Sequence, residues 1–440
     1  MTDHAVIAYS LPPGIARSAD YLVAINGQLA AVGDTPVAAY AICAISGAVT
    51  VEVTVRGGAA TGAVLRPLAR KLLVDTRGST LRIAVDRPGS LTIELPGRKP
   101  LHLFVQDLAS GEPPADTPNV RRLAPGMIHE LGEVCLADGE TLHIPGGAVL
   151  RGWVRASAAN QVRITGHGVI DGSTFPEHFR RTVVLDRCRD ALVEGITIIG
   201  SPSWTVVLAA CDHTTVRRIN LIGWVVCSDG IDVVGSRDVL IEDCFLRDND
   251  DCVAIKALDL DGLGGELMHD VARVLVQRCV CWNDRAGNVF EIGFETRCKR
   301  ISNVTFRDCD VIGAHGEGGV FTIHAGDRAE IRDVLYEDIR VEHMYDKFID
   351  FRVLHSRYSK DAERGRIRNV TLRRIRTCRD PFNTVSLLGG FDADHLVEDI
   401  RLEDVRIGEL PLESIDDLHL FVRHARNITV VPTASQAATA

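Results

Sequence analysis

Val276-Gln-Arg-Cys279-Val-Cys281, Phe306-Arg-Asp-Cys309-Asp-Val311 and Tyr336-Glu-Asp-Ile339-Arg-Val341 are copies of one phrase, apolar-x-x-apolar-x-apolar, set 30 residues apart. Five more copies flank them: Val193/Ile196/Ile198, Val216/Ile219/Leu221 and Ile241/Cys244/Leu246 upstream, Leu372/Ile375/Thr377 and Leu402/Val405/Ile407 downstream. Successive copies begin 23 to 36 residues apart. Each unit adds a second alternating segment, such as Ile231-Asp-Val, Val253-Ala-Ile or Phe290-Glu-Ile, with no helical periodicity between them. Units of this length made only of short strands and turns predict the coils of a parallel β-helix. The leucine-rich-repeat signature is missing, and a propeller would need four strands per unit with regular tryptophans.

In stacked coils equivalent residues lie one strand spacing apart, about 4.8 Å. The second segment then gives two interior columns, Ile231/Val253/Phe290/Phe321 and Val233/Ile255/Ile292/Ile323. Alternate positions must point outward, as Asp232/Ala254/Glu291/Thr322 and Lys256/Gly293/His324. At the strand entrance Asp229, Asp251, Asn288 and Gly319 align. Asp229 shares the parity of interior Ile231, so a bend eased by Gly230 is expected to turn it out to solvent.

Around this array the chain is ordinary. Of 440 residues 46% are apolar and 25% charged, with a net charge of −10 and no basic run, which argues against nucleic acid or an anionic membrane as partner. The N-terminus lacks a basic segment followed by an apolar one, so the expected location is the cytoplasm. Cys244, Cys279 and Cys309 occupy a register held elsewhere by Ile or Val, which marks them as reduced core thiols rather than a zinc site. Tyr21-Leu-Val-Ala-Ile, Val49-Thr-Val-Glu-Val, Leu81-Arg-Ile-Ala-Val and Leu91-Thr-Ile-Glu-Leu alternate at short spacing and predict an antiparallel β-sandwich. A proline-dense linker follows at Gly111–Pro118. The expected fold is all-β: a sandwich over 1–117, a right-handed parallel β-helix over 118–432, and a disordered tail at 433–440.

The chemistry concentrates between Cys227 and Lys256, where Asp229 precedes the pair Asp250-Asp251 by about one repeat. Carboxylates gathered on one face suit glycosidic hydrolysis, in which one stays protonated to serve the leaving oxygen and another stays ionised to activate water. Crowding itself drives one pKa upward.

Cys227-Ser-Asp229, Asn249-Asp-Asp-Cys-Val-Ala-Ile-Lys256, Ser201-Pro-Ser-Trp-Thr-Val and Gly166-His-Gly-Val-Ile-Asp-Gly resemble glycoside hydrolase family 28, the polygalacturonases, and their clan relatives of family 49, the dextranases and isopullulanases. The resemblance implies that Asp250 is the general acid, that Asp229 and Asp251 hold and deprotonate water, and that the anomeric centre is inverted. Inversion generally sets acid and base 6.5–9.5 Å apart. The family's Gly-His-Gly motif aligns with Gly287-Asn288-Val289, and its Arg-Ile-Lys motif with Thr322-Ile323-His324, beside which Glu291 projects. Losing that cationic clamp favours a neutral sugar over a uronate.

Asp232, Lys256, Asn288, Glu291, His324, Arg352 and Trp204 are the candidate substrate-binding residues. Trp224 and Trp282 offer further stacking faces, although tryptophan in a β-helix more often packs, and His167 reads as structural. Long insertions near Ala257–Asp270 and His355–Arg366 predict loops at the cleft edge and exo-type action. The expected partner is an oligosaccharide, with no cofactor and no metal. A uronate hydrolase, a polysaccharide lyase and a non-catalytic glycan-binding β-helix are the alternatives.

Overall fold

The computed structural model describes residues 5–260, 268–377 and 385–432. The expected tail at 433–440 and the middle of the first insertion, 261–267, lie outside the described residues. The fold is an antiparallel β-sandwich followed by a right-handed parallel β-helix. Among the described residues no helix is long and apolar enough to cross a membrane. The chain divides into two compact units. The first comprises Met1–Thr205, Thr214–Ser228 and Asp243–Arg247; the second comprises Val206–His213, Asp229–Glu242 and Asp248–Ala440.

The sandwich belongs to the first unit. One sheet is antiparallel throughout, with Val49–Val55 between Tyr21–Ile25 and Thr80–Val85. The other departs from the expected pattern in one pair: Leu101–Asp107 runs parallel to Ala39–Ile45. Val23, Val51, Val53 and Ile83 from one sheet meet Ala41, Cys43, Ile93 and Leu103 from the other in a shared core. The outer face of the second sheet is also covered, since the rings of His102 and Phe104 lie 4.7 and 5.3 Å from Phe245. That double burial explains why Ala39–Ile45 reads as a continuous apolar run rather than an alternation. His167 is structural as expected, with Tyr9 Oη 2.8 Å from Nδ1 and Ser110 Oγ 2.9 Å from Nε2.

In the second unit the repeat resolves into strand, corner and strand. Val271–Gln277, Arg300–Arg307, Glu330–Glu337, Arg366–Arg373 and Val397–Glu403 pair in parallel, each with the next. The third residue of each phrase makes the corner in the left-handed conformation, at φ 50–55° for Arg278, Asp308, Asp338, Arg374 and Asp404. In the first unit Gly195, Arg218 and Asp243 hold the same place. The predicted interior columns are paired residue for residue, Ile231 to Val253 to Phe290 to Phe321 and Val233 to Ile255 to Ile292 to Ile323. All eight side chains are fully buried, and Cys211, Cys252, Cys279, Cys281, Cys298 and Cys309 of the same unit are buried as well.

Candidate active site

The site grows from the strand Ile231–Val234 and its neighbour Val253–Ala257. Because Ile231, Val233, Val253 and Ile255 take the interior, parity sends Asp232 and Lys256 outward. Asp232 lies opposite Ala254 on that strand, and the long Lys256 chain crosses to the carboxylates. Its Nζ lies 2.9 Å from Asp229 Oδ2, 3.2 Å from Asp232 Oδ1 and 3.9 Å from Asp251 Oδ2. One oxygen each of Asp229, Asp250 and Asp251 lies within 4.8 Å of the others.

One expectation is corrected here. Asp229 is not turned out to solvent; it is only 2% exposed. The Lys256 ammonium explains the difference, since a buried carboxylate is tolerated when paired and hydrogen-bonded. One oxygen from each of the three acids meets in a single cluster, which adjacent coils a strand spacing apart and adjacent residues within one coil impose.

Asp251 is held from the next coil, where the Asn288 backbone N–H and Nδ2 donate to its Oδ1 at 2.7 and 3.0 Å. Asn288 in turn accepts from the Gly319 N–H through its Oδ1 at 2.9 Å. Asp250 is the partly exposed member of the trio. Its Oδ1 accepts from the Asp251 N–H at 3.1 Å, and its backbone carbonyl accepts from Asn283 Nδ2 at 2.8 Å. Only a glycine fits at 287, because a Cβ there would lie 2.4 Å from Asp250 Oδ1 and the backbone φ is +67°.

Electrostatics follow from this crowding. Burial drives the Asp229 carboxyl well above the usual range; Lys256 pulls it back, while Asp232, Asp250 and Asp251 push it up. Burial and then the Asp250 charge raise Asp251 likewise. Burial works against the Lys256 ammonium, yet Asp229 and Asp232 outweigh it and hold its pKa well above the ordinary value. In a cluster so arranged the titration belongs to the group rather than to one residue.

Glu291 and His324 were expected to line substrate on an open face; they are 0% and 2% exposed. His324 Nδ1 lies 2.9 Å from Glu291 Oε1, and its Nε2 lies 3.3 Å from Asp350 Oδ2. Burial alone would lower this imidazole, but the Glu291 charge and the Asp350 hydrogen bond raise it to about 9. Arg352 grips Asp350 through Nε and Nη2 at 2.5 and 2.7 Å. His324 and Arg352 hold the Asp350 carboxyl below its usual range despite burial. Sequence reasoning missed Asp350, although it continues the outward column one coil beyond Thr322.

The column Lys256/Gly293/His324 is interrupted. Ile255 pairs with Ile292 but Ala257 pairs with Thr296, so Gly293, Phe294 and Glu295 together oppose Lys256. Trp204 lies in the first unit, half-buried, with the Arg181 guanidinium 5.1 Å from its ring centroid. Trp282 is buried, with its ring 5.4 Å from that of His315. The second insertion folds back rather than standing free, as Asp327 Oδ1 accepts from the Lys360 and Asp361 N–H groups at 2.7 and 2.8 Å.

Against known proteins, residues 147–417 match the model of glycosyl hydrolases family 28. A probable polygalacturonase of Arabidopsis thaliana, At3g15720, is 25% identical over 181 residues, 40% of this chain and 37% of that protein. The exopolygalacturonase rpg15 of Rhizopus delemar is 26% identical over 189 residues, 41% of this chain and 45% of that protein. The chain thus spans less than half the length of these curated relatives. Among solved structures, Dex49A from Penicillium minioluteum superposes with a TM-score of 0.74 at 13% identity, covering 96% of both chains. An exopolygalacturonase from Thermotoga maritima gives 0.56 at 17% identity, covering 71% of this chain and 84% of its own. At such identities the structural likenesses establish the fold.

Proposed function

The chain belongs to glycosyl hydrolases family 28, and from that membership we propose that it hydrolyses O-glycosidic bonds of a neutral-sugar oligosaccharide by inversion, from a chain end. The observation that carries this reading is the trio Asp229, Asp250 and Asp251, with an oxygen of each within 4.8 Å of the others. Asp250, the member nearest solvent, donates the proton to the leaving oxygen. Asp229 and Asp251 accept hydrogen bonds from one water and deprotonate it as it attacks the anomeric carbon. Two acceptors less than 5 Å apart suit a water bridging both, since each hydrogen bond spans about 2.8 Å. Lys256 and Asn288 position that pair of bases from below.

Preference for a neutral sugar is supported by the cations of this face. Lys256 is engaged by Asp229 and Asp232, His324 by Glu291 and Asp350, and Arg352 by Asp350. A uronate carboxylate would have to compete with the protein's own carboxylates for each of them. The curated relatives named as polygalacturonases favour the uronate as second reading.

Aryl glycosides and short α-linked oligosaccharides, with proton NMR of the first-formed anomer, test the proposal. Release of the inverted anomer from a neutral substrate is expected. Retention of configuration, or activity confined to galacturonate oligomers, would overturn it.

A further inference from the structure

The bulge opposite Lys256 has a chemical consequence. Within the strand Phe290–Thr296 it takes Phe294 out of register with the strand that carries Lys256, while Phe294 keeps its pairing with Ala325 on the other side. The ring then lies flat on the His324 imidazole, with centroids 4.2 Å apart and planes within 3°. Gly293 makes this approach possible, because a Cβ there would lie 2.2 Å from the His324 carbonyl oxygen and 2.8 Å from Glu291 Oε1. His324 is held beneath the ring by Glu291 and Asp350. From the second insertion Tyr358, 39% exposed, sets its ring 5.6 Å from that of Phe294 at 46°.

We propose that Phe294, flanked by Tyr358, is a stacking platform for a neutral pyranose ring of the substrate and a determinant of specificity at this site. The inference rests on the proposed hydrolase reading and deepens it. The C–H face of a pyranose is apolar and packs against a π-face, whose quadrupole attracts the slightly positive hydrogens. The ring also covers one face of His324, whose two nitrogens already face Glu291 and Asp350, so a uronate carboxylate would have to compete with them for its donors.

The test measures calorimetric binding of maltotriose, isomaltotriose and digalacturonate to an Asp250→Asn enzyme, alone and combined with Phe294→Ala, Phe294→Tyr or Tyr358→Ala. Phe294→Ala is expected to weaken binding of the preferred neutral trisaccharide tenfold or more, Phe294→Tyr less than threefold, and Tyr358→Ala about threefold. Unchanged affinity in Phe294→Ala, or digalacturonate binding more tightly than both neutral sugars, overturns the platform. Should thermal melting show Phe294→Ala unfolded, Tyr358→Ala decides, and unchanged affinity there overturns it equally. Turnover by the unmodified enzyme is read separately. Binding that needs Phe294 without any turnover overturns the hydrolase reading alone, and turnover with binding indifferent to Phe294 overturns the platform alone.

Discussion

Two stacks of charged residues on the second unit use the same repeat in opposite ways. Along the corners, carboxylates and guanidiniums come in pairs at the surface: Arg340 with Asp308 at 2.8 Å, Arg374 with Asp338 at 2.6 Å, Arg376 with Asp404 at 2.6 Å. At the strand entrance, Asp229, Asp232 and Asp251 share a single ammonium, that of Lys256, and Asp229 and Asp251 are nearly inaccessible. Matched charges in water contribute little to stability. Mismatched charges out of water shift pKa values and hold protons where chemistry needs them. Burial and stoichiometry, rather than the presence of aspartates, separate the two stacks.

The contrast can be broken at its strongest point first. Asp250→Asn removes the proposed proton donor while keeping the shape, and kcat is expected to fall by about 10²- to 10⁴-fold with little change in melting temperature. An equal loss of fold would place Asp250 in the scaffold instead. Lys256→Met leaves Asp229 and Asp232 buried without their shared cation, and urea unfolding should show a loss of about 3–5 kcal/mol. A change below 1 kcal/mol would mean that the acids simply take up protons.

The His324 pair supplies a pH signature. Its pKa is raised from an ordinary 6.5 to about 9, so its contribution is fully present below pH 6.5 and is lost as pH rises through about 9. On the order of 3 kcal/mol is involved. Comparing unfolding of wild type and His324→Gln between pH 6 and 9.5 should show the wild type losing more stability across that window; parallel curves would refute the assignment. The smallest effect belongs to the corner stack, where Arg374→Ala should cost less than about 1 kcal/mol and leave activity unchanged, less still in high salt.

Much of this is legible in the sequence. A period-two alternation repeated at near-constant spacing fixes which side chains share a column, so Ile231/Val253/Phe290/Phe321 and the adjacency of Asp229 with Asp251 follow from stacking alone. What parity cannot supply is depth. Asp229, Glu291 and His324 have the right columns, yet their burial depends on Lys256, Asp350 and Phe294 closing over them. The bulge at Gly293–Glu295 was illegible for a related reason, because a register shift is a property of two strands and leaves no periodicity in either. The parallel pair in the sandwich was hidden by burial on both faces, which erases the alternation that strand reading relies on.

The left-handed corners carry one more implication. Five consecutive turns are made by Arg or Asp rather than glycine, so the residue that bends the chain also supplies a counter-ion to the neighbouring coil. Shape and surface charge are thereby encoded in a single letter per turn. A duplicated coil would arrive with both its bend and its electrical partner already in place, which makes lengthening such an array by tandem insertion an inexpensive evolutionary step.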